Sequence, residues 1–376
     1  GPCDGYAPVR NITTGLLYTT IQAAVDSASE GHEIEVNDGT YSEDVTINKS
    51  IKLVSKNGRD FTKIEGINES GLGTIYVLTG TNGLQIGDYG KGFEIVGING
   101  NGAIEKAAIY FEGSHTNAKI IDNEIVANGD AGLMAEYNAG VTDFLIEGNI
   151  FSGKTFVGDY PEGEGFADQF KENSNYPRQL VVFGGGASGT NTQRIIFKNN
   201  LITGTAGGIN QQGAEQGNTL VTIDADDSVI TGNDFKGVTS RYGTSLRARR
   251  SCTIRGNTFH SDWLTNTAGH LFVQNQKKTL DEIASDNIFD RHVFISGSDT
   301  IGHKISPFLL AATQGNTVKV GAGNYDEAIT ITDKTDITIQ GAGQNSTIMK
   351  VQESDSITLT NVSGMTIKDI GFDHGR

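Results

Sequence analysis

The sequence predicts an all-β chain wound as a right-handed parallel β-helix, a solenoid of stacked rungs. Three observations lead there. A unit of the form Ile-x-Gly/Asp-Asn-x-Ile/Phe recurs through the middle of the chain. Short apolar runs alternate at period two and are separated by Gly, Asn and Asp turns, the pattern of many brief strands. The 376 residues hold 50 glycines and only 5 prolines, a balance suited to tight turns between strands and unlike a disordered linker.

The first 20 residues have no clear period. Thr20–Ala28 is the one good helix candidate near the start: Ile21, Ala24, Val25 and Ala28 share a face, Thr20 is a natural N-cap, and Gly31 is a stop. From there the period becomes two. IEV (34–36), VTI (45–47) and IKLV (51–54) read as strands. A short amphipathic helix ahead of such strands has a physical purpose, because a β-helix exposes an open apolar end that a helix can cover.

The repeat unit occurs as IIDNEI (120–125), LIEGNIF (145–151), IFKNNLI (196–202), ITGNDF (230–235), IRGNTF (254–259) and ASDNIF (284–289). Its asparagines are Asn123, Asn149, Asn200, Asn233, Asn257 and Asn287, separated by 26, 51, 33, 24 and 30 residues. A rung of about 24 residues with loop insertions accounts for these spacings. The 51-residue gap fits two rungs or one rung with a long excursion. Flanking Ile, Leu and Phe are expected to point inward. Each asparagine is expected at a corner, left-handed, bonded to its counterparts above and below. The excursion 152–179 carries Asp159, Glu162, Glu164, Asp168 and Glu172 among Tyr160, Phe166, Phe170 and Tyr176. Aromatic rings there could stack on sugars or fasten the loop to the solenoid wall.

After residue 290 the chain repeats its beginning. GHEIEVNDGTYSEDVTI (31–47) matches GNTVKVGAGNYDEAITI (315–331) at an offset of 284, with Gly31/Gly315, Val36/Val320, Gly39/Gly323, Tyr41/Tyr325, Glu43/Glu327, Thr46/Thr330 and Ile47/Ile331 identical. ISPFLLAAT (305–313) takes the place of the cap helix, with Pro307 confined to its first turn. The expected organisation is therefore a leader and cap helix over 1–30, a parallel β-helix over 31–300, and the start of a second, repeated β-helix module over 301–376. Such a chain would belong to a longer tandem protein or have an open end completed by another subunit, as a homo-oligomer or filament.

The net charge of −16 argues against nucleic acid as partner, and no run of 18 apolar residues exists to span a membrane. The two cysteines, Cys3 and Cys252, have no ligand or disulfide-framework spacing, and Cys252 reads as a buried small hydrophobe. Five N-x-S/T triplets begin at Asn11, Asn48, Asn68, Asn345 and Asn361. Such triplets arise by chance in an Asn- and Thr-rich solenoid.

Charge is densest in Val221–Phe259. Asp224, Asp226 and Asp227 open the stretch, and Arg241, Arg247, Arg249, Arg250 and Arg255 close it. Alternation places Asp224 with Asp226 and Arg247 with Arg249 on shared faces. A 24-residue rung would set Asp224 nearly above Ala248. The bland reading is a cross-rung ladder of exposed ion pairs, each stabilising by at most about 1 kcal/mol. Calcium is a further possibility from the acidic turns, with Asp224, Asp226 and Asp227 as ligands. His260, Asp262, Trp263 and His270 form a second small cluster without metal-ligand spacing, in which Trp263 is a sugar platform or a rung cover.

The helix followed by G-x-x-I-x-V-x-x-G-x-Y-x-E-x-V-x-I resembles the N-terminal cap and first coils of pectate-lyase-like right-handed parallel β-helices. Within that superfamily, S-L-R-A-R-R-S-C-T-I-R-G-N (245–257) resembles, weakly and over about 40 residues, the active rungs of polysaccharide lyase family 6. There a strand ending in lysine is followed one rung later by Leu-Arg-His-Gly, a cysteine and a Gly-Asn turn. Leu246-Arg247, Cys252 and Gly256-Asn257 are kept. Asp224 stands where the lysine would be, Thr219 near the acidic calcium ligand, and Ala248 at the histidine. The resemblance implies Arg247 as acid or charge neutraliser, with Asp224 the other catalytic candidate and no base carried over. The R-x-P-x-x-R and D-P-H-E signatures of pectate lyases and mannuronan epimerases are absent.

The leading expectation is thus an extracellular or cell-surface structural and adhesive β-helix module of a larger or self-assembling protein. A polysaccharide lyase or epimerase acting on an acidic glycan is the alternative. A third is a non-catalytic glycan-binding solenoid, with the tailspike architecture of phages included, using Tyr160, Phe166, Tyr176, Arg241, Arg249 and Trp263. The missing base ranks scaffold and binding above catalysis.

Overall fold

The structure, a computed structural model, describes residues 7–67, 71–98, 106–135, 139–153, 177, 179–185, 191–206, 219–239, 243–261, 269–350 and 357–373. These form a parallel β-helix whose chain visits three sheets, or walls, in the same order on every circuit. The first circuit runs Glu33–Val36, Gly39–Ser42 and Val45–Ile47, and the next Lys52–Ser55, Thr62–Glu65 and Gly73–Val77. Each strand pairs in parallel with its successor one rung on. Inward residues from all three walls merge in one core from Val9 to Ile301. Rings stack along its axis: Phe235 and Phe259 lie 4.7 Å apart, Phe259 and Phe289 5.0 Å.

The six asparagines form one continuous ladder. The backbone N–H of Asn123 donates to Asn149 Oδ1 at 2.9 Å, and the same contact recurs from Asn149 to Asn200, Asn200 to Asn233, Asn233 to Asn257 and Asn257 to Asn287. Each side-chain nitrogen also donates to a carbonyl one rung back, as Asn200 Nδ2 does to Ile146 O at 3.0 Å. The direct Asn149–Asn200 bonds make the 51-residue gap a single rung with a long excursion. Two expectations are corrected. The left-handed residue is the one before the asparagine: Asp122, Gly148, Asn199, Gly232 and Gly256 have φ between 54° and 68°. That residue turns the corner, and the asparagine after it bonds along the axis. The last copy, ASDNIF, is not all strand, for its first residues lie in a helix, Leu280–Asp286, yet Asn287 still ends the ladder.

The cap helix α1 spans Ile21–Ser27, with Thr20 Oγ1 accepting from Ala23 N at 3.1 Å. Ala28, in extended backbone, ends it, and Gly31 instead makes the positive-φ bend (79°) into the first strand. Glu43 reaches from the second wall to accept from the amides of Ile21 and Gln22, at 2.9 and 3.0 Å. Lys49 donates to the carbonyls of Asp26 and Ala28 at the other end. Both helix termini are thereby satisfied from outside the helix, with charges matching its dipole.

The second module repeats these contacts. Counting α2 as Leu280–Asp286, helix α3 spans Ile305–Ala311 with Pro307 in its first turn. Glu327 accepts from the amides of Ile305 and Ser306, and Lys334 donates to the carbonyls of Leu310 and Ala312. Tyr41 bonds Asn37 O, and Tyr325 bonds Gly321 O. The correspondence reaches further back than the matching letters. Val9–Asn11 and Leu17–Tyr18 form an antiparallel hairpin pairing Val9 with Tyr18 and Val9 with Val36. Val293–Ile295 and Thr300–Gly302 do the same, pairing Val293 with Gly302 and Val293 with Val320. The second hairpin lies against the end of the first module: Thr300–Gly302 runs antiparallel to Gly269–Val273, with Leu271 opposite Ile301. A separate core, Val293 to Met349, begins on its other side.

Candidate functional site

The third wall carries Val45–Ile47, Gly73–Val77, Ala107–Phe111, Ala131–Ala135, Gln179–Phe183, Thr219–Ile223, Thr244–Ala248 and Gly269–Val273. Alternation sends Val221 and Ile223 into the core and leaves Thr222 on the outer face. Register then builds an outward column of Tyr76, Tyr110, Met134, Val182, Thr222, Arg247 and Phe272. Tyr76 and Tyr110 stack at 5.6 Å. Tyr110, Met134 and Ala107 with Ala131 form a small apolar cluster of their own. Polar groups gather at the Arg247 end, where the Thr219 and Thr222 hydroxyls lie 3.0 and 2.6 Å from Gln179 Oε1.

Register decides which charge meets which. Thr222, not Asp224, stands beside Arg247 in the ladder, because the third-wall repeat here is 25 residues. The first wall keeps 24, with Ser228 opposite Cys252. Asp224 is consequently level with Arg249 rather than Ala248. Its carboxylate is fully buried and accepts three bonds from that residue: the amide at 2.9 Å, Nε at 3.1 Å and Nη2 at 2.6 Å. Asp226 accepts from Nε and Nη2 of Arg250. Asp227, at a left-handed corner, faces Lys277 at 3.5 Å. The Asp/Arg cross-rung ladder exists, but the Asp224 carboxylate in it is buried rather than solvent-facing. Among the described residues no three His, Cys, Asp or Glu side chains converge on a point where a metal could sit.

Arg247 differs from Arg249 and Arg250. Its Nε is buried and, among the described residues, has no hydrogen-bond partner. Burial, and next the Arg249 charge, push its guanidinium below the usual arginine range, against the pull of Asp224. An arginine does not lose its proton in water near neutrality. Arg247 is therefore a half-buried cation whose Nε faces no acceptor among the described residues, beside the Thr222 hydroxyl in the ladder.

The second cluster resolves differently. His260 Nε2 bonds Asp234 at 2.7 Å. Ser261 Oγ bonds Asp290 and lies 3.3 Å from His270 Nε2, which suggests a triad by composition. His270 Nε2, however, donates to the carbonyl of Arg291 at 2.9 Å, so the nitrogen nearest Ser261 carries the proton and cannot accept one. Burial drives both His270 and His292 far below the ordinary histidine pKa, His292 to about 4. Cys252, the one described cysteine, gives its thiol to Ala225 O, and burial raises it to about 12, an inert group. Tyr160, Phe166, Tyr176, Arg241, Asp262 and Trp263 lie outside the described residues, as does Cys3. Sequence reasoning passed over Gln179, Thr222, Tyr76 and Tyr110. Their signal was positional, the same outward place in successive third-wall strands.

No helix among the described residues is long and apolar enough to cross a membrane. No protein-family model and no curated protein matches the chain. Three solved structures illustrate what its architecture is similar to. One is the Streptococcus pneumoniae surface protein and adhesin PfbA, at 13% identity over 94% of each chain with a TM-score of 0.40. Another is an alginate lyase from Paenibacillus sp. str. FPU-7, at 11% identity over 93% of this chain and 96% of that one, TM-score 0.35. The third is the pectin methylesterase PemA from Erwinia chrysanthemi, at 14% identity over 70% of this chain and 78% of that one, TM-score 0.34.

Proposed function

We propose that this chain is a structural and adhesive β-helix module of a surface protein, and that it holds an acidic glycan on the Arg247 face without cleaving it. One contrast carries the reading. Arg247 is a half-buried guanidinium whose buried Nε has no partner among the described residues, whereas the neighbouring carboxylate, Asp224, is wholly buried and bonded three times by Arg249. A lyase or epimerase needs a group free to take a proton from carbon. A carboxylate committed to a guanidinium fork and an amide is not free. A carboxylate-bearing sugar would supply the counter-charge, and Gln179, Thr219 and Thr222 offer the hydrogen-bonding chemistry of sugar hydroxyls.

The test is calorimetric binding of alginate, pectate and chondroitin oligosaccharides, with neutral glucans as controls, in calcium and in chelator. Binding of an acidic chain weakened about tenfold or more by Arg247→Ala, with no unsaturated product by absorbance and no C5 proton exchange by NMR, is the expected result. Unsaturated product or C5 exchange abolished by Arg247→Ala would replace this reading with the catalytic one.

A further inference from the structure

The seam between the modules holds a cavity of about 900 Å³. One bank is residues 273–280, the end of the last third-wall strand and its turn into α2. The other is residues 297–299, the turn of the second hairpin. The Val273 N–H crosses between the banks to Asp299 O at 2.8 Å. The cavity adjoins the Arg247 face. Phe272 stands beside Arg247 in the outward column, and Thr300 beside Phe272. Val273 and Asp299, each one residue further along, already line the cavity. One rung of about 4.8 Å and one residue of about 3.3 Å therefore separate Arg247 from Val273.

The lining is not built for an anion. Lys277 faces Asp227 at 3.5 Å and Lys278 faces Asp286 at 2.5 Å, and Asp299 adds a third carboxylate against those two ammonium groups. Asp281 is paired with Lys319, and the guanidiniums of Arg249 and Arg250, one rung back, are taken by Asp224 and Asp226. What remains is the chemistry of a sugar ring. Val273 and Leu280, each 5% exposed, supply apolar surface for its C–H face. Ser298 Oγ is buried and has no partner among the described residues. The Gln274 amide offers a donor and an acceptor, and Asp299, one of whose oxygens accepts from Thr300 Oγ1 at 3.0 Å, keeps further lone pairs for hydroxyls. Asn275 and Gln276 are spent on the carbonyls of Arg249, Ala248 and Arg250.

We propose that this seam cavity is a sugar subsite for an uncharged, hydroxyl-rich unit of the same glycan whose acidic unit meets Arg247. It rests on the Arg247 reading for its anchor, and the ligand it implies places an uncharged unit next to an acidic one. One bank belongs to each module, so a bound chain ties the second module to the first.

Calorimetry of the full chain with oligosaccharides of matched length tests it, using chondroitin, in which uronate alternates with an uncharged amino sugar, against alginate and pectate, in which every unit is acidic. Chondroitin is expected to bind about fivefold tighter than the other two. Gln274→Ala and Asp299→Ala, neither at a buried position, are each expected to remove that advantage and to leave alginate and pectate binding unchanged. Arg247→Ala is expected to weaken all three. Hydrogen exchange at the Val273 amide, which bonds across the seam, is expected to slow with chondroitin and not with alginate. Equal affinities with silent cavity variants overturn the subsite and leave the Arg247 reading standing. Acidic chains that fail to bind, or that bind unaffected by Arg247→Ala, overturn both. Chondroitin binding that needs Gln274 and Asp299 but leaves Val273 exchange unchanged overturns the tie between the modules.

Discussion

Arg249 closes on Asp224 with both its guanidinium and its own backbone amide, one rung away and with the carboxylate out of contact with water. The aspartate thus ties the end of one third-wall strand to the end of the next. Arg249→Ala takes the guanidinium fork away from a buried carboxylate, and such changes destabilise by about 3–5 kcal/mol. Urea unfolding should show a lower midpoint at unchanged slope. Arg249→Lys should recover only part of the loss, because an ammonium cannot supply the fork.

The asparagine ladder is a second place where one side chain serves two rungs. Asn233→Ala removes the acceptor for Asn200 N and both donor bonds to Phe197 O and Asn257 Oδ1. Buried amides left without partners put the expected loss at about 2–3 kcal/mol. Hydrogen exchange should accelerate first at Asn200 and its immediate neighbours, on the rung whose amide has lost its acceptor.

Acid should weaken the junction between the modules. His270 and His292 are buried and neutral, held low by desolvation, while an unfolded chain takes up protons near pH 6.5. Their contribution is complete above pH 6.5 and fades as pH falls toward about 4, where His292 itself titrates. Asp290 pulls both histidines the other way, and His303 adds to the depression of His270. Thermal melts at pH 7 and pH 5 should differ, and His292→Phe should flatten the difference while preserving the ring tilted against Phe289.

The duplicated cap permits a paired comparison. Glu43 and Glu327 make the same two bonds to helix amides, but Glu327 is buried and Glu43 is half-buried. Replacing each by alanine should lower stability by about 1 kcal/mol at Glu43 and by about 2 kcal/mol at Glu327. The circular-dichroism melt of Glu327→Ala should resolve an early transition in which the second module opens first.

The solenoid was legible because its corner residue is chemically singular. An asparagine both bonds along the axis and tolerates the tight bend beside it, so Asn123 through Asn287 mark the rungs by letter. The hairpins were not, since Val9/Val293 is the only identical pair between 9–18 and 293–302. What is conserved between them is strand pairing, which many letters satisfy. The face around Arg247 was half legible. Alternation put Arg247 on the outer side of its strand, but a single extra residue on the third wall moved Asp224 from Ala248 to Arg249. Loop insertions add length to one wall without changing another, and no count of letters separates the walls.

The reversal of strand direction at Thr300–Gly302 acts like a grain boundary in a crystal. Within either module each rung templates the next, so a slip in one propagates to all that follow. Across the antiparallel seam no such template passes, and the second module takes its phase from its own hairpin, helix and glutamate cap. An array built this way lengthens by whole modules while confining each packing fault to the one in which it arose.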